Sequence, residues 1–363
     1  MSSEFEYVFP AIRGIQAGRE YYVSMCPLRL IPRLFLFDDE ELQPEFRAQR
    51  QLNKSRVPEM ARYMVDNRKD YIFSALTASI DAEIEFEPLE AFGDGRRVGQ
   101  LRIPMSARFV INDGQHRRAA IELALRDQPE LGDESIAVVF FLDVGLKKSQ
   151  QMFADLNRYA IRPSSSLGVL YDHRDDMASV ARTIVATSEI FRDVVELEKT
   201  SLSARSRRLF TLSAIYHATR ELLQDQMFES ANEAAAVARE YWEAVAAVIP
   251  EWSAVKEGRI TAGEVRQDFL HSHGVVLQAL GRVGGDLLTF AKKERNAKIK
   301  KMSGINWRRA NTSLWEGRAM VAGRVSKSLQ NVILTGSAIK KHIGLELSPE
   351  ELRLEEAHAK KGE

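Results

Sequence analysis

The stretch ARFVINDGQHRRAAIELAL, residues 107–125, decides the fold of the first half of this chain. Its apolar run at 109–111 predicts a short buried strand. Asn112, Asp113 and Gly114 follow, and these residue types allow the backbone to turn sharply. Alanine, isoleucine and leucine then recur at the spacing of a helix with one buried face. The stretch therefore predicts a strand, a tight turn and a helix.

The predicted helix begins with three basic side chains, His116, Arg117 and Arg118. Cations at a helix N-terminus oppose the helix dipole and cost about 0.3 to 1 kcal/mol each. Because the first amides of a helix also point outward, this turn is expected to bind an anion. In the alternative interpretation, the two arginines pair with acidic side chains such as Asp113 or Glu122. His116 then only caps the turn.

The string DGQHR at 113–117 resembles the motif of the DGQHR proteins, a branch of the ParB/sulfiredoxin superfamily. Within that branch, three more stretches resemble the DndB family of DNA sulfur modification (phosphorothioation) proteins: FPAIRGIQAG at 9–18, YYVSMCPLRL at 21–30 and YIFSALTASI at 71–80. The resemblance covers most of the chain and is strongest in the first half. It implies an N-terminal ParB/sulfiredoxin-like α/β domain that carries the DGQHR turn.

Gln115 stands where sulfiredoxins carry a nucleophilic cysteine in the equivalent turn. An amide cannot form the sulfur ester that sulfinic acid repair needs, so this reaction is excluded. The His-Arg pair at the helix start contacts nucleotide phosphates in those relatives. The resemblance therefore implies a pocket for ATP or CTP with Mg²⁺, in which His116, Arg117 and the amides near Gly114 hold the phosphates.

Asp113, Gln115 and His116 are the candidate catalytic residues of this pocket, because they could position a water or a metal-bound oxygen. Whether the nucleotide is hydrolysed stays open. Arg118 is a further candidate contact, although one of two adjacent helical arginines must point away.

A second segment, at 146–163, resembles the region that follows the motif in DGQHR proteins: a helix with Phe-x-x-Leu-Asn, then a Pro-Ser-Ser-Ser loop. Asn157, Arg158 and Arg162 could reach the same pocket from there. Alternatively, Asn157 caps the C-terminus of the helix. Arg50 and Arg56, ahead of an early helix, are candidates for more distant anion contacts or are simply exposed charges.

Composition limits the class of protein. Lys+Arg 51 balances Asp+Glu 51, so any contact with DNA must come from a local patch rather than from net charge. The one cysteine, Cys26, excludes a disulfide within the chain and zinc sites built on thiolates, and we expect it to be a small buried residue. No apolar run reaches the roughly 18 residues that span a bilayer, so no membrane contact is expected and the expected compartment is the cytoplasm.

Strands alternate with helices in the first part of the chain, which predicts a mixed α/β domain at residues 1–165. The stretch 49–67 is predicted to turn helical, with Pro58 as the first residue of the helix. A hairpin turn is predicted at 93–97, and the segment at 82–86 is expected to pair with the strand at 72–80. The predicted strands lie at 20–26, 30–37, 72–80, 98–103, 108–111 and 135–143.

Strand patterns almost vanish in the second part, which predicts a mostly α-helical C-terminal domain at residues 166–363. The predicted helices lie at 175–195, 206–229, 231–248, 265–280 and 287–295, with turns at Pro250, Gly258 and Gly281. Histidines at 173, 271 and 273 suggest metal binding, but neither site has the i, i+4 histidine pair of a metallohydrolase helix. We therefore predict no metal site.

Basic residues of the second half are the candidates for contact with DNA phosphates, with Trp307 nearby for stacking. An ordinary solvated helix and loop is the alternative. The candidates are Arg205, Arg207, Arg208, Lys292, Lys293, Lys298, Lys300, Lys301, Arg308 and Arg309.

The resemblance implies a DNA-binding transcriptional regulator of a phosphorothioation gene cluster. Its expected partners are double-stranded DNA from the promoter of its own cluster and other sulfur modification proteins, and its oligomeric state stays open. Two alternatives remain: a nucleoside triphosphatase subunit of a DNA modification complex, and a non-catalytic scaffold of the modification machinery.

Overall fold

The computed structural model describes residues 5–35, 54–142, 151–152, 155–156 and 163–362. The chain divides into two units, Met1–Ile161 and Arg162–Glu363. The sequence placed this boundary between residues 165 and 166. The first unit carries a mixed sheet with helices and the second is mostly helical, which confirms the predicted fold class.

In the described part of the first unit, seven strands form one mixed sheet with the order β4-β5-β1-β2-β7-β3-β6. β3 and β7 run parallel, and the other neighbouring strands run antiparallel. The strands are β1 Glu6–Gln16, β2 Arg19–Pro27, β3 Leu76–Asp81, β4 Glu85–Pro88, β5 Val98–Pro104, β6 Arg108–Asp113 and β7 Ser135–Leu142.

The apolar run predicted as a strand at 135–143 is confirmed as β7, which lies between β2 and β3. Its Val138 and Phe140 are fully buried. The helices of this unit are α1 Ile31–Leu34, α2 Val57–Asp66 and α3 Gln115–Asp127, and both α1 and α2 pack against α3. Cys26 on β2 is fully buried, as expected, and burial raises the pKa of its thiol to about 12.

Two predictions for this unit are wrong. The expected strand at 30–37 is helical in its described part: Pro32 lies in the first turn of α1, where a missing N–H costs nothing. Ile31 and Leu34 are both buried on one face of that turn. The segment expected to pair with β3 instead forms β4, which pairs with β5. The predicted turn at 93–97 does connect β4 to β5 and contains the 3-10 helix Asp94–Arg97.

The second unit packs its helices around a core that includes Trp242, Trp252 and Trp315, all fully buried. Short strand pairs, β8 Val195–Glu196 with β9 Phe210–Thr211 and β10 Met320–Val321 with β11 Arg324–Val325, lie between helices. The helices are α4 Ser165–Tyr171, α5 Asp176–Thr187, α6 Leu212–Leu223, α7 Ala231–Ala246, α8 Pro250–Lys256, α9 Ala262–Asp268, α10 Gly274–Leu288, α11 Lys292–Lys301, α12 Thr312–Trp315, α13 Leu329–Ile343 and α14 Pro349–Gly362.

The sequence misplaced several helix boundaries here. The predicted helix at 265–280 is two helices, α9 and α10, and the predicted helix at 287–295 contains the end of α10 and the start of α11. Gly281 is not a turn but lies inside α10, where an added Cβ would come 2.0 Å from the carbonyl oxygen of Ala218. Glycine therefore lets α10 approach α6 closely. The sequence did not predict α13 and α14.

Candidate functional site

The DGQHR turn consists of one residue, Gly114, between β6 and α3. Its φ of 109° lies in the region that L side chains rarely adopt. An added Cβ would also lie 2.4 Å from Cδ2 of Leu76. Both the backbone angle and the space therefore require glycine here. The predicted strand, turn and helix are confirmed, but Asn112 and Asp113 belong to the strand rather than to the turn.

Two buried amide side chains, one on each side of Gly114, form hydrogen bonds that stabilise this turn. Asn112 is fully buried, and its Oδ1 accepts a 2.9 Å hydrogen bond from the hydroxyl of Ser79 on β3. Gln115 is 6% exposed, and its Nε2 donates to the carbonyl oxygen of Ile111 at 3.2 Å. The Gln115 amide, a candidate for positioning water, thus fastens the start of α3 to the end of β6.

Arg117 forms the ion pair that the alternative interpretation expected. Its Nη2 lies 2.7 Å from Oδ2 of Asp113 and 3.2 Å from the carbonyl oxygen of Ala75. The Asp113 side chain keeps 44% of its surface exposed. Nε of Arg117 is buried and has no hydrogen-bond partner among the described residues. One donor of this guanidinium is therefore uncommitted.

Arg118 points away from the turn and into the fold. Its Nε and Nη2 donate to the carbonyl oxygens of Phe35 and Pro32, at 2.8 and 2.9 Å. Its Nη1 pairs with Glu122 one helical turn later. The residue is 5% exposed, and burial lowers the pKa of its guanidinium. Arg118 therefore ties α3 to the segment around α1.

Two features of this turn bear on phosphate binding. No side chain caps the start of α3, where the first amides of a helix lack a partner within the helix, and the buried Nε of Arg117 has no hydrogen-bond partner among the described residues. His116 is half-buried in the first turn of the helix and makes contacts of its own. Of the predicted phosphate contacts, Gly114, His116 and Arg117 lie together here, whereas the Arg118 guanidinium lies elsewhere.

The predicted contacts Asn157 and Arg158, together with Arg162 and Arg50, lie outside the described residues. Arg56 is exposed just before α2.

The candidate DNA contacts fall into two groups. Five are exposed and have no ion pair, side-chain hydrogen bond or ring contact among the described residues; we call them the unpaired cations: Arg205, Arg207, Lys293, Lys300 and Lys301. The other five have partners within the fold. Lys292 forms an ion pair with Glu240. Arg208 donates a hydrogen bond to the carbonyl of Asp193, and Arg309 donates to the carbonyls of Gln267 and Gly323. Lys298 lies over the ring of Phe290, and Arg308 lies over the ring of Phe269.

α9 connects two segments that carry candidate cations, the loop with Arg205 and Arg207 and the segment with Arg309. Arg266 at its end donates hydrogen bonds to the carbonyls of Ser203 and Ser206, in the loop that carries Arg205 and Arg207. The next residue, Gln267, accepts from Arg309. Arg266 could not be predicted from the sequence, because its role depends on carbonyl groups about 60 residues away in the chain.

Trp307 does not supply the expected stacking surface. It is 6% exposed and stacks on Trp315, with ring centroids 5.3 Å apart. The ring belongs to the core of the helical unit, while the neighbouring Arg308 is exposed. The interpretation of Trp307 as a stacking platform for bases is therefore wrong.

The histidine-containing string at 271–273 takes part in ordinary hydrogen bonds. Nδ1 of His271 accepts from Nε1 of Trp252 at 2.9 Å, and Nε2 of His273 lies 2.8 Å from the carbonyl of Arg266. Across the described ranges, no three side chains of histidine, cysteine, aspartate or glutamate gather as a metal site.

A family model, DndB, described as DNA-sulfur modification-associated, matches residues 9–346, nearly the whole chain. The chain belongs to the DndB family. This family is associated with DNA sulfur modification, as the DGQHR motif and its flanking stretches indicated. No curated protein and no solved structure gives a significant match. Among the helices that can be described, none has both the length and the apolar character to cross a membrane.

Proposed function

We propose that this member of the DndB family is a cytoplasmic, DNA-binding transcriptional regulator of a phosphorothioation gene cluster. The observation that supports it is the set of unpaired cations in the helical unit. Five of the ten candidate cations are exposed and make no ion pair, side-chain hydrogen bond or ring contact among the described residues, so they are available to an external anion although the chain has no net charge. Such cations suit the phosphate backbone of duplex DNA.

The arrangement on α11 adds to this argument. Ile299 is the only buried residue of the ten that form this helix, so α11 lies on the surface with most of its lysines in solvent. Lys293 and Lys300 lie seven residues apart, two helical turns, and therefore on one face. Phosphate contacts of this kind position a protein on DNA, while contacts with base edges supply sequence preference.

The test is fluorescence anisotropy with two duplexes of equal length, one from the promoter of the protein's own gene cluster and one with the same bases in scrambled order. The regulator function requires the promoter duplex to bind at least about tenfold tighter at one salt concentration. Equal affinity for both duplexes would overturn it, because phosphate contacts alone do not distinguish sequences.

A second function, a nucleoside triphosphatase subunit of a modification complex, is favoured by the uncapped start of α3 and the uncommitted Nε of Arg117. His116, Arg117 and the first amides of α3 would hold the phosphates, and Asp113 would orient a water beside them. A bound Mg²⁺ would supply charge neutralisation of those phosphates.

This second function is tested by phosphate release from ATP and from CTP. Arg117→Ala is expected to abolish release. Arg126→Ala is the matched control, because Arg126 lies on the same helix and its side chain is 69% exposed. Release that persists in Arg117→Ala, or that the wild-type protein lacks, would contradict the triphosphatase function. The scaffold function would gain support if the protein bound neither nucleotide nor DNA.

A further inference from the structure

A cavity of about 820 Å³ lies within the helical unit, apart from the DGQHR turn. Its wall is formed by the start of α6, by α9, by the start of α10 and by the residues before α13. A volume of this size is typical of sites for small molecules and cofactors. Hydroxyl groups, including those of Thr211 and Ser213, line it beside an apolar side that contains Leu202 and Phe210.

Positive charge dominates the wall. The lining side chains that carry or can carry a proton charge are His217, His273, Arg266 and Lys327. Lys327 has neither a hydrogen bond nor an ion pair within the described part of the chain. Desolvation and the nearby Arg220 lower the pKa of Lys327, and desolvation and Lys327 lower the pKa of His217, while the charge of Glu221 acts on both groups in the opposite direction. A bound anion would relieve this crowding of cations.

Glu264 is the one acid among the residues that line the cavity, and its carboxylate is already engaged. Oε2 accepts from the backbone N–H of Thr261 at 2.9 Å and from its hydroxyl at 2.6 Å, which completes the capping box of α9. Glu221, which lies outside the lining but acts on the charge of Lys327, already accepts from Gln278 and pairs with Arg282.

The start of α10 opens beside Lys327. Its Nζ lies 3.6 Å from the point where a Cβ on Gly274 would stand. Gly274 is the first residue of α10, a 15-residue helix whose N-cap, His273, makes no side-chain capping bond. The first amides of this helix and the lysine ammonium thus lie side by side, an arrangement that favours a phosphate.

Ser272 gives an independent indication of a ligand. It is 5% exposed and lines the cavity, and its hydroxyl is buried without a hydrogen-bond partner among the described residues. Buried hydroxyls nearly always have a partner, because an unmade hydrogen bond there is costly. A ligand oxygen in the cavity would provide one.

We propose that this cavity binds a phosphate-bearing small molecule of about the size of a mononucleotide, whose phosphate contacts Lys327, the first amides of α10 and the hydroxyl of Ser272. The apolar side, with Leu202 and Phe210, would then face the uncharged part of the ligand. This site is separate from the turn at Gly114 and does not depend on the function proposed for that turn.

The test is isothermal titration calorimetry of the full chain with AMP and with inorganic phosphate, at constant ionic strength. Both probes are expected to bind, AMP the more tightly. Lys327→Gln should weaken binding by about tenfold or more, the effect of losing a hydrogen bond to a charged group. Ser272→Ala should weaken it by about fivefold. Lys256→Gln, an exposed lysine of the same unit outside the cavity, should leave it unchanged.

Thermal melting without ligand separates binding from folding. Ser272→Ala removes a buried hydroxyl that bonds to no described residue, so its melting temperature without ligand should equal or exceed that of the wild type. The proposal is overturned if neither probe binds, if Lys327→Gln binds as well as the wild type, or if Arg117→Ala rather than Lys327→Gln abolishes binding. AMP binding no tighter than phosphate would exclude the mononucleotide. Displacement of AMP by a short duplex would assign the cavity to DNA phosphate instead.

Discussion

The DGQHR turn and the surface of α11 both concentrate positive charge, but the fold treats the two regions differently. At the turn, Arg117 and Arg118 are bound to Asp113, Glu122 and backbone carbonyls. On α11, Lys293, Lys300 and Lys301 have no acidic partner in the described part of the chain. The density of cations in a sequence therefore does not distinguish charges that hold a fold from charges available to a ligand.

The difference is also one of free energy. Removing one member of a buried, hydrogen-bonded charge network costs several kcal/mol, whereas an exposed charge contributes little to folding. We therefore expect substitutions at the turn to affect stability and substitutions on α11 to affect binding. Cys26, the only cysteine of the chain, reports on the first unit alone, because it is fully buried there and a thiol of raised pKa reacts slowly until it is exposed.

The largest expected effect follows from Arg118→Met. The substitution leaves the carbonyls of Phe35 and Pro32 without their donor and should lower the free energy of unfolding of the first unit by about 3 kcal/mol. Alkylation of Cys26 under native conditions should then accelerate about a hundredfold. Arg126→Met is the control, since Arg126 shares the partner Glu122 but is 69% exposed. Equal labelling rates in the two variants would show that the buried contacts of Arg118 contribute no more to stability than an exposed charge does.

Gly114→Ala should have a smaller effect, about 2 kcal/mol, because it combines a strained φ with the contact to Leu76. Gly18→Ala separates these causes. Gly18 also has a positive φ, 74°, but an added Cβ there would meet nothing within 4 Å. In urea unfolding followed by Cys26 labelling, the free energy of unfolding of Gly18→Ala should lie between that of the wild type and that of Gly114→Ala. If Gly114→Ala were as stable as Gly18→Ala, the Leu76 side chain would have to move away from the added methyl group at no cost in stability.

Much of the first unit could be predicted because local patterns decide it. The strand, turn and helix around Gly114 depend on residues within about 20 positions, and β7 is a single apolar run. The partners of Arg118 could not be predicted, because Phe35 and Pro32 lie more than 80 residues earlier. The prediction of a strand at 30–37 was wrong because it also depended on distant residues. Pro32 suits a helix start as well as a strand end, and the packing against α3 decides between them.

In the helical unit, the class of structure could be predicted from the sequence, but the sites could not. Gly281 has the pattern of a turn, yet the close approach of α6 keeps it inside α10. The cavity gathers Lys327, Ser272 and His217 from three separate elements, so no spacing in the sequence marks it. Basic residues near Trp307 suggested a stacking surface, but the burial of that ring depends on Trp315 and the core beneath it.

The most direct test of the central claim, that cations left unpaired by the fold are the ones that bind DNA, is the salt dependence of affinity for the promoter duplex. The double variant Lys300→Gln with Lys301→Gln should bind about tenfold more weakly and lower the slope of log K against log salt by about 1.8, or 0.9 for each lost phosphate contact. Lys292→Gln, on the same helix but paired with Glu240 at 3.1 Å, should leave the slope unchanged. Equal slopes for all three proteins, or a loss confined to Lys292→Gln, would contradict the account.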